Sequence, residues 1–418
     1  MARFEPHSHV AVRPFARHHE GENVTLGLVD QQVFVTIPVE GLEILDTLAA
    51  GATVGDAARR YEQAHGETAD IDDFLDALAQ VGFVQVPGES DEAPSPTQSP
   101  APSSPTEPGF RWISPALARR AVSAPVAGLC AIAIAAGLGM FASDPGLVPG
   151  ATVLVFHEHL AVWLAVVCGV SAGGVIIHEF GHVIAARAAG VPARVRISHR
   201  LWFMVAETDM TGIWLAPKRS RQLAFLAGSI LDAVGASALL GLLWAEHHGW
   251  LALGATLRRV VAATLLSYLL RLLWQCFVFV RTDFYFVLAT ALDCKNLLGD
   301  TEDLLRNWVA RACGRPATVN QSAIPPRERR AIRAYTLVWL GGRAIALYSL
   351  IFAALPVLVG YGAEIVRTAT GGHPSYDAAD LLSVLVLVFG LQLAGFALWI
   401  RTLYRSRTKG VSNDVAVQ

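Results

Sequence analysis

Six stretches of this chain are each long and apolar enough to cross the ~30 Å hydrocarbon core of a bilayer, which limits the fold more than any other feature. They run over residues 122–141, 160–189, 222–245, 260–280, 335–361 and 381–400. Backbone amides inside a bilayer have no water to bond, so stretches of this kind must close their hydrogen bonds as helices. Composition agrees, with 53% hydrophobic and only 16% charged residues and a mean hydropathy of +0.43. The expectation is a polytopic α-helical membrane protein. A net charge of −2 gives no basis for a nucleic-acid partner. The five cysteines form no CxxC pair, so free, packed thiols are expected rather than a disulfide framework. No apolar core follows the charged N-terminus, so no cleavable signal peptide is expected.

Lysine and arginine fix the orientation. Arg111, Arg119 and Arg120 precede the first stretch, and Arg187, Arg194, Arg196, Arg200, Lys218, Arg219 and Arg221 lie between the second and third. A further basic group lies between Arg281 and Arg333, and Arg401, Arg405, Arg407 and Lys409 follow the last stretch. The alternate loops hold only Arg258, Arg259 and Arg367. Both termini are therefore expected in the cytoplasm, with the second helix running inward.

Ahead of the membrane part, residues 1–86 read as a small α+β domain of winged-helix type. Val33, Phe34, Val35, Thr36 and Ile37 are β-rich, and Leu42, Ile44, Leu45 and Leu48 fall at helical spacing. Thr53 and Asp70 are suited to cap two further helices, and Gly82, Phe83 and Val84 return to strand. The last of those helices is acidic, which argues against DNA binding. Residues 87–110 are rich in Pro and Ser and read as a disordered tether to the membrane domain at 111–410, with a cytoplasmic tail at 411–418.

The second apolar stretch carries His178, Glu179, Phe180, Gly181 and His182. His-Glu-x-x-His on a helix sets two imidazoles one turn apart on one face, where both can reach one Zn²⁺, with the glutamate placed as general base for an attacking water. Ionisable groups in such a segment are costly and usually functional. A hydrolytic zinc needs a third protein ligand at the same depth. Asp283, just past the fourth stretch, is the best candidate; Asp232 is its rival, and Glu207 and Asp209 are weaker options. Arg271 lies inside a stretch and is expected to find a polar partner such as Asp232, while Arg343 is near enough to a helix start to snorkel. His157, Glu158 and His159 read as an exposed loop. Residues 195–215 alternate like an amphipathic hairpin, with Glu207, Thr208 and Asp209 available as its turn.

The membrane part resembles the site-2 protease superfamily of intramembrane zinc metalloproteases, and more closely its bacterial peptide zinc metalloprotease branch. Four places carry the resemblance: His178 to His182; Phe203 to Asp209 with Trp214, Lys218, Arg219 and Arg221; Ala227 to Asp232 at the family's Gly-Pro-x-x-Asn position; and Thr282, Asp283, Phe284 and Tyr285 at its third-ligand motif. Ser229 stands where the family usually has Pro, and Asp232 where many members have Asn. The family's longer Asn-Pro-Leu-Asp-Gly form is absent. The resemblance implies one Zn²⁺ per chain on His178, His182 and Asp283, Glu179 as catalytic base, and a hairpin whose edge accepts an extended substrate.

The N-terminal domain is similar to PqqD-like proteins, small winged-helix modules that bind leader peptides of ribosomally made, modified peptides. The resemblance rests on residues 33–37, 42–45, 53–58 and 74–84, and implies a docking edge around Gln32 to Thr36. Together the two resemblances imply a zinc endopeptidase in a bacterial plasma membrane that removes the leader of a captured precursor peptide. Two alternatives are a regulatory protease acting on an anti-sigma factor or signal-peptide remnant, and a non-hydrolytic zinc-containing binding or export partner.

Overall fold

The computed structural model describes residues 4–28, 33–68, 70–85, 110, 112–150, 153, 160–200, 203–294, 296–317, 319, 321, 324, 326–349 and scattered positions from 351 to 401. The expected tether at 87–109, Gln32, the loop at 157–159, most of the sixth stretch and the tail lie outside the described residues.

Two bodies follow in chain order. In the first, β2 (Ala16–Glu20), β3 (Asn23–Leu28) and β4 (Val33–Pro38) form an antiparallel sheet in that order. Three helices, α1 (Val39–Ala49), α2 (Val54–His65) and α3 (Ile71–Gln80), follow it. The short strand β1 (Ala11–Val12) pairs with β5 (Val84–Gln85), returning the end of the domain to its start. The expected caps are present: Thr53 and Asp56 form a reciprocal capping box on α2, and the Asp70 side chain accepts from the Asp73 amide. Val24, Leu26 and Leu28 alternate toward the helices, where Leu45, Leu48, Leu75, Leu78 and Phe83 complete a closed core. Thr25 and Gly27 face the other way and are buried as well. Gly27 is covered by the Phe34 ring of β4, 2.8 Å from the place a Cβ would take, and by Leu215 of the second body, whose Cδ1 lies 3.0 Å from it.

The second body is helical: α4 (Pro115–Ala121), α5 (Ala124–Ser143), α6 (Leu160–Ala188), α7 (Lys218–His247), α8 (Ala255–Gln275), α9 (Asp283–Leu292), α10 (Leu297–Ala312) and α11 (Pro326–Ser349). Among the described residues, three helical stretches are long and apolar enough to cross a membrane: Pro115–Ser143, Ala161–Ala188 and Lys218–His247. Helices α5, α6 and α8 all pack on α7. The fourth expected stretch departs from its predicted course, since α8 stops at Gln275 and the chain turns through residues 276–282 into α9.

Between α6 and α7 lies a hairpin of β6 (Arg194–Arg200) and β7 (Phe203–Asp209), then a 3-10 turn over Thr211–Leu215. The turn of the hairpin corrects the sequence reading. Arg200 pairs with Phe203, so the chain reverses there, and Glu207, Thr208 and Asp209 belong to β7. Those three are held in strand by specific partners: Asp209 bonds Arg196 across the hairpin at 2.8 Å, and Thr208 bonds α6.

Candidate metal centre

Helices α6 and α7 cross so closely that only small residues fit between them. A Cβ on Gly181 would lie 2.9 Å from the Ala227 carbonyl oxygen. Small residues at such crossings let backbones approach in membrane helices. On α7, Ala224, Gly228 and Asp232 recur every four residues and form one stripe. Against it α6 places His182 opposite Ala224 and His178 opposite Asp232.

This stripe fixes both rings. His178 Nδ1 lies 2.8 Å from Asp232 Oδ2, and His182 Nδ1 lies 2.7 Å from the Ala224 carbonyl oxygen. A carboxylate and a carbonyl only accept, so both Nδ1 atoms donate and both Nε2 atoms carry lone pairs. The two Nε2 atoms then point at one another 3.2 Å apart. Asp283 Oδ2 completes the triangle, 3.0 Å from His178 Nε2 and 3.2 Å from His182 Nε2.

Three electron-rich atoms converging in a buried place call for a cation between them. Zinc bonds of 2.0–2.2 Å in tetrahedral arrangement separate neighbouring ligand atoms by about 3.3 Å, close to the edges of this triangle. Room for an ion is kept by Gly228, where a Cβ would lie 2.6 Å from both Nε2 atoms. His178, Glu179 and His182 offer ligand atoms within 4.8 Å of one another and form a buried group able to hold a metal ion. Of the carboxylates, Asp283 lies closer to the imidazoles, while Glu179 Oε2 accepts from the Thr208 hydroxyl at 2.7 Å.

Asp283 owes its position to the turn after α8. Its amide donates to Gln275 Oε1 at 3.0 Å, and the Thr282 hydroxyl bonds the Gln275 backbone carbonyl. It opens α9, where a carboxylate also meets the positive end of the helix. Asp232, the rival ligand, is fully buried but faces the far side of His178. Arg271 on α8 donates to it at 2.9 Å, the pairing expected from sequence. An unpaired carboxylate there would be strongly destabilising. Glu207 and Asp209 sit on β7, with Asp209 already engaged by Arg196 and the Thr211 amide.

The group opens into a cavity of about 350 Å³ walled by β7, the 3-10 turn and the start of α9. Gln275 escaped the sequence reading, and Thr208 and Gly228 entered it only within a turn and a motif, without a role of their own. For Gly228 a signal was available, the four-residue spacing from Ala224 to Asp232. Thr208 and Gln275 gave none, since their role depends on contacts between distant elements. Comparison with known proteins adds no relative: no family model, curated protein or solved structure matches the chain.

Proposed function

We propose that this chain is an intramembrane zinc endopeptidase of the site-2 protease type, with His178, His182 and Asp283 as zinc ligands and Glu179 as base. The convergence of two lone-pair-bearing imidazoles and a carboxylate on one buried point, with a second carboxylate beside it, supports the reading most directly. When bound, zinc supplies Lewis acidity at a scissile carbonyl and acidifies the attacking water. Glu179 takes the proton from that water and delivers it to the leaving amine. The Thr208 hydroxyl holds the Glu179 carboxylate in place from β7, and Gln275 fixes the start of α9 and with it Asp283. The protein then crosses the membrane six times with both termini in the cytoplasm.

The substrate proposed is a leader-bearing precursor peptide captured by the N-terminal domain. Two observations support this choice over a regulatory role. The domain sits against the turn that walls the cavity. The outer edge of β4 also has no partner strand among the described residues, as strand addition requires.

The test uses full-length protein and a candidate leader-bearing precursor peptide. Glu179→Gln should keep about one zinc per chain and lose on the order of 10²–10⁴-fold in cleavage rate. His178→Ala and Asp283→Ala should lose metal and activity together. Cleavage by the Glu179→Gln protein at the normal rate would overturn the assignment. The Val39 amide bonds the Glu22 carbonyl, which turns the Val35 amide inward to Leu26 and the Thr36 amide outward, so Thr36→Pro removes an amide from the β4 edge. It should slow cleavage at low substrate while leaving zinc untouched, and unchanged rates there would reject leader capture alone.

A further inference from the structure

The 3-10 turn over Thr211–Leu215 faces both bodies of the chain. Ile213 and Trp214 line the cavity that holds the histidine pair, and the Trp214 ring packs on Phe225, another lining residue, with 5.9 Å between centroids. Leu215, the next residue, lies against Gly27 of β3. β2 and β3 both pack on this turn. Every described residue lining the cavity belongs to the second body. The N-terminal domain therefore backs the cavity wall from outside and does not fill the space.

The turn is fastened by Arg221, in the first turn of α7. The Trp214 carbonyl would ordinarily accept from the amide three residues on, but that residue is Pro217, which has none. Arg221 Nη1 supplies a donor instead: it bonds the Trp214 carbonyl at 3.4 Å and the Ala216 carbonyl at 3.2 Å. The guanidinium also lies 5.9 Å from the Trp214 ring centroid. Its Nη2 donates to both carboxylate oxygens of Glu20, the last residue of β2, at 2.7 and 2.8 Å. Arg221 is buried, and a buried charge stripped of its partner is costly. Without Glu20 the guanidinium is drawn toward water, and the two carbonyls of the wall lose their donor together.

We propose that Glu20 and Arg221 are positioning residues for the cleavage reaction: docking of the N-terminal domain through this pair sets the cavity wall carried by Ile213 and Trp214. The inference rests on the protease reading above and adds a form of regulation to the same site. Full turnover requires the docked domain even when the cavity is saturated with peptide. Capture of a leader at the β4 edge, in contrast, matters only at low substrate.

Full-length protein in detergent carries the test. Glu20→Ala removes the bonded carboxylate from a strand end, in a domain that has its own closed core. Leu215→Ala removes the apolar contact on Gly27 and leaves the ion pair in place. Hydrogen exchange read by mass spectrometry should show the amides of residues 211–216 exchanging about tenfold or more faster in Glu20→Ala, with the amides of α3 as in wild type. With the candidate leader-bearing precursor at saturation, the cleavage rate should fall by about tenfold or more at unchanged zinc content. Leu215→Ala should move both readouts in the same direction. Wild-type exchange across the turn, or a wild-type saturating rate, in both variants would overturn the proposal. A defect confined to low substrate would overturn it too, since that is the mark of capture. If the wild-type protein cleaves nothing, the protease reading falls, and exchange across the turn still decides whether docking orders the wall.

Discussion

Asp232 carries the most information per atom in the centre, because one carboxylate serves both His178 and the Arg271 guanidinium. It orients His178 through Nδ1 and is itself neutralised by Arg271. Partners of this kind fix the tautomer of a metal-binding histidine, and their loss typically costs 10–100-fold in affinity or activity. Asp232→Asn should therefore weaken zinc binding about 10–100-fold without emptying the site at saturating metal, whereas Asp283→Ala should empty it. Competition with a zinc chelator, followed by metal analysis, separates the two outcomes. Complete zinc loss from the Asp232 variant with retention in the Asp283 variant would exchange their roles. The two histidines and Glu179 were legible because a helix alone brings them together. The residues ranked Asp283 ahead of Asp232 by depth alone, but they did not show what each does, because both carboxylates reach His178 and only the ring geometry tells Nδ1 from Nε2.

At the level of elements, the crossing of α6 and α7 is the part that tolerates least change. Gly228→Ala adds one methyl directly between the two Nε2 atoms and the α7 backbone. The expected result is a folded protein with little or no bound zinc, with helix content measured by circular dichroism alongside metal content. A full complement of zinc would show that the pocket relaxes more readily than packed interiors do. Helix α10 offers a different test. Burial, with Glu328 and Asp303 nearby, pushes the Asp300 carboxyl up to about 6 from an ordinary value of 3.8. The folded state then binds this proton more tightly than the unfolded state. Its contribution to stability is present in full below pH ~4 and is lost as pH rises through about 6. Asp300→Asn should stabilise the protein at pH 7–8 by on the order of 1 kcal/mol, less than the full linkage value because the helix face is partly open. Thermal unfolding across pH 4–8 measures it, and an unchanged slope would remove Asp300 as the cause. Elements with local signals were read well: the caps at Thr53 and Asp70 and the β-rich run at 33–37 all hold. The β1–β5 pairing and the hairpin reversal were missed because long-range partners decide them, not nearby residues.

Across the whole molecule, an ion pair clamps the N-terminal sheet to the helical body. Arg221 on α7 is buried, bonds both carboxylate oxygens of Glu20 at 2.7 and 2.8 Å, and also donates to the carbonyls of Trp214 and Ala216. Glu20→Arg leaves that cation without its partner and should weaken docking by about 1–3 kcal/mol. Limited proteolysis should then cut the chain between the two bodies faster than in wild type. Equal rates would mean that Leu215 against Gly27 holds the contact unaided. Length and hydropathy made the membrane class legible from sequence, but the docked arrangement was not, because Glu20 and Gly27 give no local sign of a partner.

Docking also has a consequence for biosynthesis. Glu20 and Gly27 leave the ribosome roughly 190 residues ahead of Leu215 and Arg221, a lag of some 10–40 s at ~5–20 residues per second. Throughout that interval the Thr25 and Gly27 face of the sheet is finished but lacks the cover that Leu215 adds to Phe34, so a nascent chain stalled before α7 should be the form that chaperones hold longest.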